Sequence, residues 1–223
     1  MPTVKHLLFD NDGTIVDSEV IAVRSMLQML AAQGLQLTEK EYCQRFPGLT
    51  LRDIMGILAE EFGLREADDL LERARQEHIR LFESELRVVP GMYGLFRRLQ
   101  TPKSMVSNGS IRHVERSLRR VRLLRALDGH IFSAEQVRRP KPFPDVYQYA
   151  LETLQLPPAE VLVVEDSPVG VQAAKSAGLP VIGFLGATHV TAGHAEALLA
   201  EGADFIAENA TVLGKLLNKY GIL

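Results

Sequence analysis

Six short apolar runs divide the chain, and their spacing restricts the fold more than any other feature of the sequence. They fall at Val4–Phe9, Lys103–Val106, His130–Phe132, Val161–Val164, Pro180–Leu185 and Asp204–Ile206. Runs of this length suit strands of a parallel sheet buried on both faces. Segments of helical periodicity separate the later ones: Ile111–Arg119, Phe143–Leu154, Pro168–Ala177, Ala195–Glu201 and Asn209–Lys219. Strand followed by helix, repeated, predicts an α/β fold with a Rossmann-like parallel sheet core and helices on both faces.

The first crossover breaks the alternation. About ninety residues separate the run ending at Phe9 from the one beginning at Lys103, several times an ordinary strand-to-strand connection. Asp17 and Ser18 are placed to cap a helix reaching Gln33, with Glu19 set for the helix dipole and Gly34 as the stop. Further helices fit Thr38–Arg45, Leu51–Phe62 and Ala67–Leu86. Met26, Met29 and Leu30 stand at i, i+3 and i+4, the spacing of a helix packed on its neighbours. Residues 17–88 therefore read as an inserted helical cap domain, and 1–16 with 89–223 as the catalytic core. Val88-Val89-Pro90-Gly91 reads as the returning hinge.

Composition narrows the function classes. The formal net charge of −3 offers no basic field for nucleic acid or anionic membrane. The arginines at 112, 116, 119, 120, 122 and 125 lack interleaved aromatics and read as a solvated helix face. Cys43 is the only cysteine, so no internal disulfide can form, and it reads as an apolar packing residue in a reducing compartment. The apolar run at the start is too short for a signal-peptide core. Residues 178–195 carry no Asp, Glu, Lys or Arg, but glycines and Pro180 make them strand plus loop rather than a membrane span. The expected setting is cytoplasmic. His189 and His194 read as members of a solvated loop.

Four segments carry candidate chemistry, each where a parallel sheet presents ligands, beyond the carboxyl ends of its strands. In Phe9-Asp10-Asn11-Asp12-Gly13-Thr14, two carboxylates can enter one cleft from a tight turn, and Gly13 allows close backbone approach. Met105-Val106-Ser107-Asn108-Gly109-Ser110 offers a hydroxyl, an amide and backbone N–H groups for phosphate oxygens. In Arg139-Pro140-Lys141-Pro142, prolines on both sides restrict Lys141. Val161–Val164 ends in Glu165 and Asp166, followed by Ser167 and Pro168 at a helix start. Each segment alone also fits an ordinary turn or helix cap. Together, Asp10, Asp12 and Asp166 form a hard oxygen set suited to Mg²⁺, with Lys141 to neutralise a phosphoryl group.

In this order, Asp10-x-Asp12-Gly13-Thr14, Ser107-Asn108, Lys141 and Glu165-Asp166-Ser167-x-x-Gly170 resemble the haloacid dehalogenase-like phosphohydrolase superfamily, subclass with a helical cap inserted after the first motif. The resemblance spans essentially the whole chain, and is nearest to members acting on phosphorylated sugars and sugar acids. It implies a Mg²⁺-dependent phosphatase of small phosphate monoesters working through an aspartyl-phosphate. Asp10 would be the nucleophile. Asp12 would be general acid, then base, and would lend its backbone carbonyl to the metal. Ser107, Asn108 and Lys141 would hold phosphate. Asp166 would bind Mg²⁺, with Glu165 beside it either supporting the ligands from behind or serving as an alternate ligand. The turn Gln44–Arg52 would face the nucleophile and bring Arg45 and Arg52 to the far end of an anionic substrate, unless they pair with Glu41 or Asp53.

Relatives with other chemistry fit less well. Dehalogenases lack an acid at the Asp12 position. Phosphonate-cleaving members use a cap lysine, whereas no lysine follows Asp17 before Lys40. Mutases of the beta-phosphoglucomutase type carry a cap histidine and arginine where Ala22 and Leu51 stand here, with Arg52 one residue displaced. A mutase, or a binding protein of this fold without turnover, remains the alternative. Arg138 and Arg139 read as surface charge that adds to phosphate attraction.

Overall fold

The computed structural model describes residues 3–46, 51–62 and 67–222. It divides into two compact units, residues 1–17 with 87–223, and residues 18–86. The first holds six parallel strands: β1 (His6–Phe9), β2 (Lys103–Ser107), β3 (Ile131–Ser133), β4 (Val161–Glu165), β5 (Val181–Phe184) and β6 (Phe205–Ala207). Their order is β3-β2-β1-β4-β5-β6, in register Phe9 with Met105 on one side and Phe9 with Val164 on the other. The four central strands are buried throughout, whereas the edges β3 and β6 are partly open.

The chain winds outward from β1 in one direction through β2 and β3, then resumes on the other side with β4. That reversal opens a crevice at the carboxyl ends of β1 and β4, the ligand position of such sheets. Asp10 follows β1 there, and its N–H donates to the Val164 carbonyl at 3.0 Å, extending the ladder one residue into the site.

Ten α-helices are assigned among the described residues. Those of residues 18–86 are α1 (Glu19–Ala32), α2 (Glu39–Arg45), α3 (Leu51–Phe62) and α4 (Ala67–Glu85). Met26, Met29 and Leu30 bury with Ile54, Met55 and Leu58 as a separate small core, as their spacing suggested. The expected cap of α1 is not formed. Ser18 makes no side-chain cap bond, and the Asp17 carboxylate accepts instead from the Thr188 hydroxyl at 2.7 Å. α2 is closed by a capping box between Thr38 and Glu41.

Around the sheet lie α5 (Met92–Arg98), α6 (Ile111–Arg120), α7 (Asp145–Leu154), α8 (Pro168–Ser176), α9 (His194–Ala200) and α10 (Ala210–Lys219). The spacing of apolar residues did not indicate α5. Only seven residues long, it opens on Gly91 in the left-handed region (φ 81°), so the supposed hinge leads straight into a helix. α6 buries Val114, Ser117 and Leu118 and leaves Arg112, Arg119 and Arg120 exposed, the solvated face expected of that arginine series. No described helix is long and apolar enough to cross a membrane.

Candidate active site

Lys141 organises the buried side of the crevice. It is 5% exposed, and its ammonium donates to Asp10 Oδ1 at 2.7 Å, Glu165 Oε1 at 2.9 Å and the Val106 carbonyl at 2.9 Å. Three donors thus meet three acceptors. The Tyr147 ring lies 5.3 Å from Nζ and adds a π face to the same charge. Burial opposes the charge on Lys141, but Asp10 and Glu165 outweigh it and hold the pKa well above the usual lysine value. Burial, followed by the charge of Glu165, pushes Asp10 well up from the ordinary carboxylate range, with Lys141 pulling against them. The proton therefore resides on the lysine, and the surplus negative charge falls on the acids.

The flanking prolines are only part of what fixes Lys141. Its backbone N–H donates to Asn108 Oδ1 at 2.9 Å, while Asn108 Nδ2 donates to the Lys141 carbonyl at 3.2 Å. This amide-on-amide clasp joins the end of β2 to the lysine segment. Asn108 was expected to hold phosphate; its side-chain amide is engaged with the lysine backbone. Ser107 is buried at the end of β2, and its Oγ accepts from the Gly109 N–H at 2.9 Å.

Glu165 is fully buried, and both its oxygens are engaged. Oε2 accepts from the backbone N–H groups of Asp166 and Ser167 at 2.7 and 3.1 Å, while Oε1 accepts from Lys141 and the Ser167 hydroxyl. Gly170 makes room for it, since a Cβ at that position would run into Oε1. Ser167 caps α8 through the Gly170 N–H, with Pro168 in its first turn. Asp166 is thereby released from capping and turns to the cleft, where Oδ1 accepts from the Thr14 hydroxyl at 2.8 Å. Gly13 has φ 84°, and a Cβ there would collide with the Asp166 carboxylate, so this position needs glycine twice over.

Asp10, Glu165 and Asp166 each bring a carboxylate oxygen within 4.8 Å of the others, and all three residues are buried. Three buried acids facing one ammonium leave an excess of negative charge that a divalent cation would neutralise. The donor set is all oxygen, as a hard cation requires. Asp12 is not in this group. Its side chain lies on the open side of the turn, 3.1 and 3.2 Å from His113 Nε2 and 3.0 Å from Asn11 Nδ2. The hydrogen bond to Asp12 raises the His113 pKa against the effect of burial. His189 and His194 are not simply solvated. His189 Nε2 is 3.6 Å from Asp166 Oδ2, and His194 Nε2 is 2.6 Å from the Asp166 carbonyl. Burial, then the neighbouring His194, lower the pKa of His189 and favour its neutral form.

Residues 7–184 match the haloacid dehalogenase-like hydrolase family. The chain belongs to that family. It is 32% identical over 190 residues to 6-phosphogluconate phosphatase of Escherichia coli K12, covering 85% of this chain and 86% of that protein. A solved hydrolase of the family from Deinococcus radiodurans R1, with bound phosphate and sodium, superposes with TM-score 0.89 at 27% identity, covering 100% of this chain and 99% of that one. A candidate beta-phosphoglucomutase from Thermotoga maritima superposes with TM-score 0.82 at 27% identity, covering 96% and 99%.

Of the residues singled out in the sequence, Asp10, Lys141, Glu165 and Asp166 lie together near the carboxyl ends of β1 and β4. His113 was not among the sequence candidates, since it lies within the first turn of α6 and not at a strand end. Its signal was the Ser110 N-cap, which fixes the third helical residue near the strand end. Arg45 forms an ion pair with Glu61, and its guanidinium lies 5.3 Å from the Phe46 ring. Glu41, the partner considered for it, is engaged in the capping box. The Arg52 and Cys43 side chains and residues 47–50 lie outside the described residues. Arg139 pairs with Asp145 at 2.7 Å on the surface.

Proposed function

We propose that this chain hydrolyses the phosphate monoester of a sugar or sugar acid, with Asp10 as nucleophile and Mg²⁺ as cofactor. The observation that carries the reading is Asp10 itself, a buried carboxylate held at 2.7 Å by a buried lysine and accompanied by Asp166 at a sheet switch point. An Asp10 oxygen attacks phosphorus, and the bond from phosphorus to the ester oxygen breaks. Asp12 gives its proton to the departing alcohol. Asp12, now a carboxylate, takes a proton from water, whose oxygen attacks phosphorus and releases phosphate from Asp10. Lys141 remains an ammonium throughout, orienting Asp10 and offsetting charge on the phosphoryl oxygens, with Ser107 at the same strand end. Asp10 and Asp166 would hold the cation, together with the Asp12 backbone carbonyl, and Glu165 anchors the lysine behind them. When bound, the cation supplies charge neutralisation between two anions that must approach each other.

The likeness to a candidate beta-phosphoglucomutase favours a second reading, in which the phosphoryl group on Asp10 passes to another sugar hydroxyl instead of water. A screen of phosphorylated metabolites with Mg²⁺, following both inorganic phosphate and isomeric sugar phosphates, separates the two. Phosphate release that EDTA abolishes, Mg²⁺ restores and Asp10→Asn lacks is the expected result. Undiminished turnover in EDTA would contradict the metal assignment, and isomer without phosphate would establish the mutase.

A further inference from the structure

α6 touches the turn after β1 at two points one helical turn apart. His113 and Ser117 stand at i and i+4, on one face of the helix. His113 Nε2 lies between the two oxygens of Asp12, at 3.1 and 3.2 Å. Ser117 Oγ lies 2.9 Å from Asn11 Oδ1 and 2.8 Å from the Val114 carbonyl, and both Ser117 and Asn11 are fully buried. Asn11 then donates from Nδ2 to Asp12 Oδ2 at 3.0 Å. The Asp12 carboxylate is thus addressed twice from one helix, directly by His113 and through Asn11 by Ser117.

The ring of His113 is itself held in place. Its backbone N–H donates to the N-capping Ser110 Oγ at 3.1 Å, and a Cβ at residue 109 would press on ring atom Cδ2 at 3.0 Å. Glycine at 109 therefore lets the imidazole lie close against the backbone as it reaches across to Asp12. Asp12 needs such support more than Asp10 does. Its side chain is 25% exposed and that of His113 33%, so no surrounding core fixes the rotamer.

We propose that His113 is the positioning residue for Asp12, selecting the rotamer from which its carboxyl group exchanges protons with the ester oxygen and with water. The inference rests on the acid/base role given to Asp12 above. Misplacing a group that must meet a reacting atom within hydrogen-bond reach lowers the rate by on the order of ten- to a hundredfold. The loss belongs in kcat for substrates whose leaving group needs a proton. It leaves KM little changed, because phosphate binding depends on the Lys141 side of the crevice.

The test compares wild type, His113→Ala and His113→Gln on a hexose phosphate and on p-nitrophenyl phosphate. Glutamine carries an amide N–H about where imidazole Nε2 lies, and partial exposure of the site makes both variants compatible with folding. His113→Ala should lower kcat on the hexose phosphate about ten- to a hundredfold with KM nearly constant. The burst of p-nitrophenol, which reports transfer to Asp10 with a good leaving group, should change less than threefold or so. His113→Gln should recover much of the lost kcat. Equal losses in both reactions, a change in KM alone, or a glutamine variant no better than alanine would overturn the assignment. Failure of wild type to release phosphate from any ester would instead sink the phosphatase reading. An active wild type with an inert Asp10→Asn and an unimpaired His113→Ala would sink only this one.

Discussion

The two carboxylates of the turn after β1 stand two residues apart and occupy opposite surroundings. Asp10 faces inward, buried against Lys141 and Glu165, where every partner is charged and none is open to water. Asp12 faces outward, a quarter exposed, and meets the His113 ring and the Asn11 amide. A nucleophile is served by the first arrangement, since a fixed ammonium keeps the carboxylate aimed. A group that must take and return a proton is served by the second, where water has access. The two acids of one turn thus differ in what surrounds them: Asp10 shares its burial with a fixed ammonium, whereas Asp12 stays within reach of water.

The comparison breaks most directly at Asp10. Asp10→Asn should reduce phosphate release at least about ten-thousandfold, because a neutral amide is a poor nucleophile. Asp12→Asn should be crippled on alkyl esters yet retain a burst with an activated aryl phosphate. The reverse pattern in initial-rate and burst kinetics would exchange the two roles.

Removing the ammonium is the next largest effect. Lys141→Met leaves Asp10 and Glu165 buried without a counter-charge, so folding stability at neutral pH should fall by about 3–5 kcal/mol. Urea unfolding in EDTA measures it, and a loss under about 1 kcal/mol would show that the lysine is not what keeps these acids in place.

His6, at the opposite end of β1, sharpens the contrast because its hydrogen-bond partner there is the neutral Ser104 hydroxyl, at 2.8 Å. Burial pushes its pKa down to about 4, so the folded form stays neutral while the unfolded chain is protonated below its ordinary value. Its contribution is complete above about pH 6.5 and is lost as pH falls toward 4, amounting to about 3 kcal/mol. His6→Gln should flatten that part of the pH–stability curve relative to wild type. Parallel curves would mean the histidine is not held neutral.

The smallest effect is expected in the helical insertion. Arg45 is exposed and paired with Glu61, so its hypothesised contact with a substrate carboxylate must compete with that partner. Arg45→Ala should lower kcat/KM for a sugar acid phosphate by on the order of tenfold and leave p-nitrophenyl phosphate unchanged. Equal changes on both substrates would return Arg45 to a structural role.

The legibility of these parts followed their physics. Short strand-forming runs between helical segments made all six strands readable, along with the acids that follow β1 and end β4. Helix ends were less legible: Asp17 binds Thr188 and does not cap α1, a choice made by residues 171 positions apart. The seven-residue α5 was not legible because Pro90 and Gly91 just before it suit a hinge as well as a helix start. The Asn108 clasp and His113 were not legible for one reason. Their partners, the Lys141 backbone and the Asp12 carboxylate, lie 33 and 101 residues away in sequence, and spacing along the chain carries no trace of such pairs.

The central claim is that the phosphoryl group passes through Asp10, and trapping it covalently is the most direct test. The enzyme would be mixed with excess substrate and Mg²⁺, quenched in acid during turnover, and treated with borohydride, which reduces an acyl phosphate to an alcohol. Mass spectrometry of the peptide spanning residue 10 should then find homoserine in place of Asp10, with Asp12 intact. Phosphate released at a normal rate with Asp10 unmodified, or homoserine at position 12, would contradict the account.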